Sequence, residues 1–166
     1  MNAKTKEIVD ALNKALDLET AGRKFYLECA EKTKDANARK MFKYLAGEEE
    51  THYEKVEKIY RDEFNKEFLE KKESTKKPMA IFELKVPGGS IDSKSGALDA
   101  LNIALRAEEN SILLYTKLGN AANSDKLKKL FSKLLAEESK HYTLIKQEIE
   151  TVTQTGAYYD FKVVTS

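Results

Sequence analysis

The feature that most constrains this chain is that it repeats itself. Sliding the sequence by 89 residues lays "DALNKALDLETAGRKFY" (10–26) over "DALNIALRAEENSILLY" (99–115), and "KMFKYLAGEEETHY" (40–53) over "KLFSKLLAEESKHY" (129–142). Over residues 10–53 against 99–142 there are 15 identities in 44 positions without a gap. Glu19 meets Glu108, Tyr26 meets Tyr115, Glu49 meets Glu138, and His52 meets His141. The chain has 2 histidines, and the repeat contains both. A duplicated unit with internal self-similarity has to be recognised before any other reading of the fold.

Each copy reads as two amphipathic helices. In the first, residues about 4–33 bring Leu12, Leu16, Glu19, Tyr26 and Ala30 near one face, and residues about 36–72 do the same for Phe42, Leu45, Glu49, His52, Val56 and Ile59. In the second, the stripes are Leu101, Leu105, Glu108, Ile112 and Tyr115 over about 95–119, and Leu127, Leu130, Leu134, Glu138, His141 and Ile145 over about 124–151. "KTKDAN" and "GNAANS" supply turn residues inside each pair. Between the pairs, "STKKPMAIFELKVPGGSIDSKSG" (74–96) holds both prolines and reads as a long connection with a short extended piece at 80–86.

The expected fold class is all-α: a four-helix bundle of two duplicated helical hairpins joined by a long crossover. Residues 1–151 form the bundle, with hairpin 4–72, crossover 73–94 and hairpin 95–151; residues 152–166 are expected to be an extended C-terminal tail. A helix of about 35 residues spans roughly 50 Å. The crossover therefore has to travel the length of the bundle, so that the third helix starts parallel to the second.

Lys+Arg (29) and Asp+Glu (28) nearly cancel, which gives no reason to expect nucleic acid or an anionic membrane as a partner. One cysteine, Cys29, suits a reducing compartment and reads as a small buried filler. With no apolar signal segment and no stretch of roughly 20 apolar residues, the expected location is cytoplasmic.

Residues three apart on a helix lie on neighbouring turns of one face, so Glu49 with His52, and Glu138 with His141, can each converge on one point. Burying an ionised carboxylate costs several kcal/mol or more unless it is paired. Four facing carboxylates would also repel one another. Only Arg23 among the basic residues lies near these stripes. Two divalent cations would neutralise four acids, and a carboxylate-rich set with nitrogen suits iron or manganese. A single Glu-x-x-His on a charged helix is usually solvated surface. Recurrence of all six residues as two matching sets favours a metal centre. Tyr26 and Tyr115 read equally well as core aromatics or as partners of the ligands.

On these residues the chain resembles the rubrerythrin branch of the ferritin-like diiron-carboxylate proteins, over about residues 8–151. That class takes one Glu from each of two helices and Glu-x-x-His from each of the others. The resemblance implies that Glu49 and Glu138 bridge two metals, that Glu19 and Glu108 are terminal ligands, and that His52 and His141 each give one nitrogen. The implied cofactor is two iron ions, with manganese possible. The implied activity is non-haem diiron oxidoreductase chemistry with hydrogen peroxide or dioxygen.

Two departures qualify the resemblance. Full rubrerythrins carry a rubredoxin domain with paired CxxC motifs, which one cysteine cannot build, so electrons would come from a separate rubredoxin-type donor. Rubrerythrins also use a further glutamate one turn beyond the first ligand of the third helix. Here that position is Ser111, and Glu109 points about 100° away from Glu108. The alternatives are a ferroxidase or iron-handling protein, manganese catalase chemistry and a metal-free helical scaffold. Apolar residues in "PMAIFELKVP" and "AYYDFKVV" suggest contact with a neighbouring chain, a homodimer by default.

Overall fold

A computed structural model describes residues 3–64, 91–160 and 162 of the 166, with the side chains of residues 3 and 4 left aside. Among these residues are four helices: α1 (Ala3–Lys32), α2 (Ala36–Phe64), α3 (Lys94–Ala121) and α4 (Asp125–Thr155). The expected extended piece at 80–86, and the crossover apart from its last residues 91–94, lie outside the described residues. So does the expected end of the second helix beyond Phe64.

The helix starts are written in the sequence. Asp35 Oδ1 accepts from the backbone N–H groups of Asn37 and Ala38 at 2.8 and 2.9 Å, which closes the head of α2. Ser93 Oγ accepts from Gly96 N–H, and Ser124 Oγ from Leu127 N–H, at α3 and α4. Gly156, at φ 75°, takes the left-handed conformation that ends α4 and donates its N–H to Val152 O. The fourth helix thus runs to Thr155, four residues beyond the expected boundary at 151. The β-branched residues there obey tertiary packing, since Val152 is fully buried. The tail proper starts after Gly156: Tyr158 packs edge-on to Phe42, and Tyr159 N–H donates to Glu148 Oε1 at 2.7 Å.

Each hairpin packs most extensively on itself, and α1 and α3 join the hairpins. Tyr26 meets Glu108 while Tyr115 meets Glu19, so α1 and α3 run antiparallel. Because α2 returns along α1, it runs parallel to α3, as a long crossover requires. The same logic holds between α2 and α4, where Lys126 pairs with Asp62 and Lys55 with Glu137.

The interior is divided into three levels. One apolar cluster gathers Phe25, Cys29, Met41, Phe42, Leu45, Leu101 and Ile145. The other gathers Leu12, Leu16, Val56, Tyr60, Leu118, Phe131 and Leu134. In every helix the residues between those two groups along the chain are the acidic and histidine residues singled out above. Glu19, Glu49, His52, Glu108, Glu138 and His141 are all at most 4% exposed. The bundle therefore has a charged layer between two apolar ones, and each helix contributes to all three.

Candidate metal centre

The six residues come together. Glu19, Glu49, His52 and Glu138 each offer a ligand atom within 4.8 Å of one another, and so do Glu49, Glu108, Glu138 and His141. The two groups share Glu49 and Glu138, so these carboxylates lie between two positions. Glu19 and His52 belong to one position, Glu108 and His141 to the other. His52 Nδ1 stands 3.1 Å from Glu138 Oε1, and His141 Nδ1 stands 3.2 Å from Glu138 Oε2, so one carboxylate spans both imidazoles. Glu19 Oε2 and Glu108 Oε2 each lie 3.6 Å from the Nδ1 atom on their own side. The imidazole rings stack with centroids 5.4 Å apart.

The tyrosines cross over between the halves. Tyr26 of the first hairpin donates its hydroxyl to Glu108 Oε1 of the second, and Tyr115 of the second donates to Glu19 Oε1 of the first. Each terminal carboxylate has one oxygen fixed in this way. Its other oxygen, Glu19 Oε2 or Glu108 Oε2, is buried without a hydrogen-bond partner. Orphaned buried carboxylate oxygens are costly and call for an explanation. Both belong to the two clusters, so the donor set fits a pair of hard or borderline divalent cations.

The electrostatics show how the layer is tolerated without metal. Burial and the neighbouring carboxylates raise the Glu49 pKa, while burial, working against the nearby His141 imidazole, raises Glu108 to about 8. Glu138 is pushed up by burial, but hydrogen bonds to His141 and His52 outweigh this and bring it down to about 2. Burial works to lower the histidines as well. The facing carboxylates of Glu138 and Glu19 nonetheless lift His52 to about 9, and those of Glu108, Glu138 and Glu48 lift His141 to about 12. Burial beside Glu108 and Glu19 raises the Tyr26 and Tyr115 hydroxyls well above their ordinary value, so both stay proton donors. Imidazolium charges and protons on carboxyls thus occupy the place that cations would take. Metal binding at such a site has to release those protons.

Two participants were missed at the level of sequence. Glu137 Oε2 lies 3.2 Å from His52 Nε2, and Glu48 Oε2 lies 3.7 Å from His141 Nε2. Each stands behind the histidine of the other hairpin, on the ring edge away from the bridging carboxylates. Glu48 and Glu137 are related by the same 89-residue offset, so the repeat could have revealed them. Periodicity gave them no role, because each precedes a bridging glutamate by one residue and so stands about 100° round the helix from it.

Other assignments fall into place around the layer. Arg23, the one basic residue near the stripes, pairs outward with Glu50 and leaves the acids alone. Gly22 gives Glu49 its room: a Cβ there would sit 3.3 Å from the Glu49 carboxyl carbon. Ser111 is buried at the position one turn beyond Glu108. Cys29 is fully buried in the apolar cluster, and its thiol is pushed up to about 12 by burial.

Residues 10–86 match the family model described as Rubrerythrin. No curated protein matches the chain. Among solved structures, the chain is similar to a hypothetical protein from Pyrococcus furiosus at 23% identity and TM-score 0.72, covering 91% of this chain and 93% of that one. It is also similar to the dodecameric thioferritin of Bacteroides fragilis, a bacterioferritin-related protein, at 18% identity and TM-score 0.70, covering 91% and 89%. A ferritin-like, diiron-carboxylate protein from Bacillus anthracis aligns at 18% identity and TM-score 0.68, covering 90% and 99%. At these identities the likeness is one of fold. Among the described residues, no helix is long and apolar enough to cross a membrane.

Proposed function

Starting from a ferritin-like four-helix bundle whose residues 10–86 match the rubrerythrin family, we propose that the charged layer holds two iron ions and that the protein is a non-haem diiron oxidoreductase. It reduces hydrogen peroxide, or dioxygen, with electrons returned by an external donor. The observation that carries this reading is the pair of four-residue clusters sharing Glu49 and Glu138.

In this reading Glu49 and Glu138 would serve both ions, Glu19 and Glu108 one each, and His52 and His141 would each offer Nδ1. The ions supply two one-electron reductants side by side, enough with two protons to carry one peroxide to two waters. The rest belongs to the chain. Tyr26 and Tyr115 hold one oxygen of each terminal carboxylate, so the free oxygen is aimed inward. Glu137 and Glu48 face the outer nitrogens of the histidines, which orients the rings and leaves Nδ1 for the centre. The apolar clusters on both sides exclude bulk water and keep the centre in a low-dielectric setting.

Anaerobic protein loaded with two ferrous ions per chain and mixed with peroxide in a stopped-flow instrument should develop ligand-to-metal absorbance within seconds. Its absence with both oxidants would sink the redox reading. Manganese in the same residues would give catalase-type chemistry, and metal analysis of freshly purified protein separates the two. A second reading is ferroxidase activity with iron storage. It is favoured by Ser111, which like Gly22 at the matching position of the first half brings no further carboxylate, and by the likeness to a thioferritin that is dodecameric. Light scattering decides this, since a dimer, the default expectation, cannot form a storage shell.

A further inference from the structure

The two halves of the centre match in every residue facing the ions and differ in what stands behind the histidines. Glu137 Oε2 is the oxygen that lies 3.2 Å from His52 Nε2, and the same oxygen accepts from Lys55 Nζ at 2.8 Å. Lys55 comes from α2, one turn beyond His52, and its side chain is mostly buried. The residue 89 positions on, where a matching cation would stand behind His141, is Leu144. Among the described residues no lysine or arginine pairs with Glu48 within 4 Å. The duplication has thus kept the ligands and lost the symmetry of the charges behind them.

Taking the paired centre as its basis, we propose that the two ion positions are inequivalent and that Lys55, acting as a positioning residue through Glu137, makes them so. The position served by His141 fills first and more tightly, and the position served by His52 fills second. A carboxylate behind a metal-bound imidazole raises the basicity of the ligating nitrogen. An ammonium bound to that carboxylate's facing oxygen withdraws charge from the acceptor. It also sets a positive charge near the incoming cation, with Coulomb repulsion in the same direction. The shorter distance on the His52 side works the other way. Neither outer nitrogen makes an aligned hydrogen bond, so the difference that remains is the Lys55 ammonium 2.8 Å from Glu137, against no lysine or arginine within 4 Å of Glu48 among the described residues. Glu48 feels Lys55 only at longer range and so keeps more of its charge toward His141.

Metal-free whole chain is titrated anaerobically with Co(II), followed by visible absorbance. The expected result is two binding steps separated by about tenfold, the lower end of what outer partners of a ligand exert. In Lys55→Met the second step tightens toward the first, while the first stays unchanged. Because the protein has 2 histidines, the order of filling can be read directly. In ¹⁵N-histidine NMR with Zn(II), one equivalent should shift the His141 ring signals, and the second equivalent those of His52. In the fully loaded protein, Lys55→Met should move the His52 Nε2–H resonance alone. A merely structural role for Lys55 would weaken both steps together and lower the melting temperature of the metal-free protein, and that outcome overturns the proposal. Two equal steps in the parent protein, or His52 signals shifting first, overturn it as well. Fewer than two ions bound per chain would instead bring down the paired centre on which it stands. Lys55→Gln repeats the comparison should the methionine variant fold poorly.

Discussion

The charged layer and the two apolar clusters are built on the same four helices and are equally dry, yet they hold the bundle together in opposite ways. Around Leu12, Leu118 and Phe131, burial itself is favourable, and every methylene removed from water adds stability. Between the clusters, burial is a cost that Glu138 and the two histidines offset only by sharing protons and hydrogen bonds. The first region is stable without help. The second is stable in a way that depends on pH and, in the proposed function, on metal. A bundle of this kind spends fold stability from its ends on a centre prepared to exchange protons for cations.

This contrast can be broken most severely from the apolar side. Phe131→Ala, in a fully buried position stacked against Tyr115, should cost about 3–5 kcal/mol in urea unfolding, by the same amount with and without divalent metal. Glu138→Gln should cost the metal-free protein a comparable amount, about 3 kcal/mol at pH 7, because two imidazolium groups lose their shared anion. It should also abolish paired metal binding, which calorimetry with Co(II) would show. Glu49→Gln is the informative counterpart. Its carboxyl already favours the protonated form, so the amide should leave metal-free unfolding within about 1 kcal/mol of the parent while lowering metal affinity at least tenfold. Equal stability losses in the two glutamine variants would erase the distinction between them.

A pH series sharpens the contrast further. The histidines have folded values raised to about 9 and about 12 against an ordinary 6.5, so their contribution is complete below about pH 6.5 and fades as pH rises through 9. Glu108, raised from 4.5 to about 8, works in the same direction, since the fold favours its neutral form and loses stability as pH climbs past 4.5 toward 8. Glu138, lowered to about 2, adds stability above 4.5 that is lost as pH falls toward 2. The metal-free protein should therefore be most stable near pH 4.5 and lose stability from there up to about pH 9. With saturating divalent metal the slope over 6–9 should reverse, because binding releases the same protons. Thermal melts with and without metal at each pH check both slopes. The smallest effect belongs to Gly22→Ala. The added methyl obliges the Glu49 carboxyl to move by a few tenths of an ångström, which should weaken metal binding severalfold and leave metal-free unfolding nearly unchanged.

Much of this centre was legible before any coordinates. Periodicity and the 89-residue repeat placed Glu19, Glu49, His52, Glu108, Glu138 and His141 on inward faces, because helix geometry alone decides which residues share a face. The turn residues of "KTKDAN" and "GNAANS" separated the helices within each pair for a similarly local reason. The boundary at 151 was off because the composition of "TVTQT" favours strand only where no packed neighbour intervenes.

The chain by itself, then, determined which residues face inward and that they do so twice, since both follow from spacing along one strand of sequence. Only the tertiary structure decided who partners whom: Tyr26 with Glu108 and Tyr115 with Glu19, Glu137 behind His52, Lys55 turned onto Glu137, Arg23 turned away. Those pairings depend on the rotation and depth at which one hairpin docks on the other. Packing of the whole apolar interior sets that docking, and no local spacing encodes it.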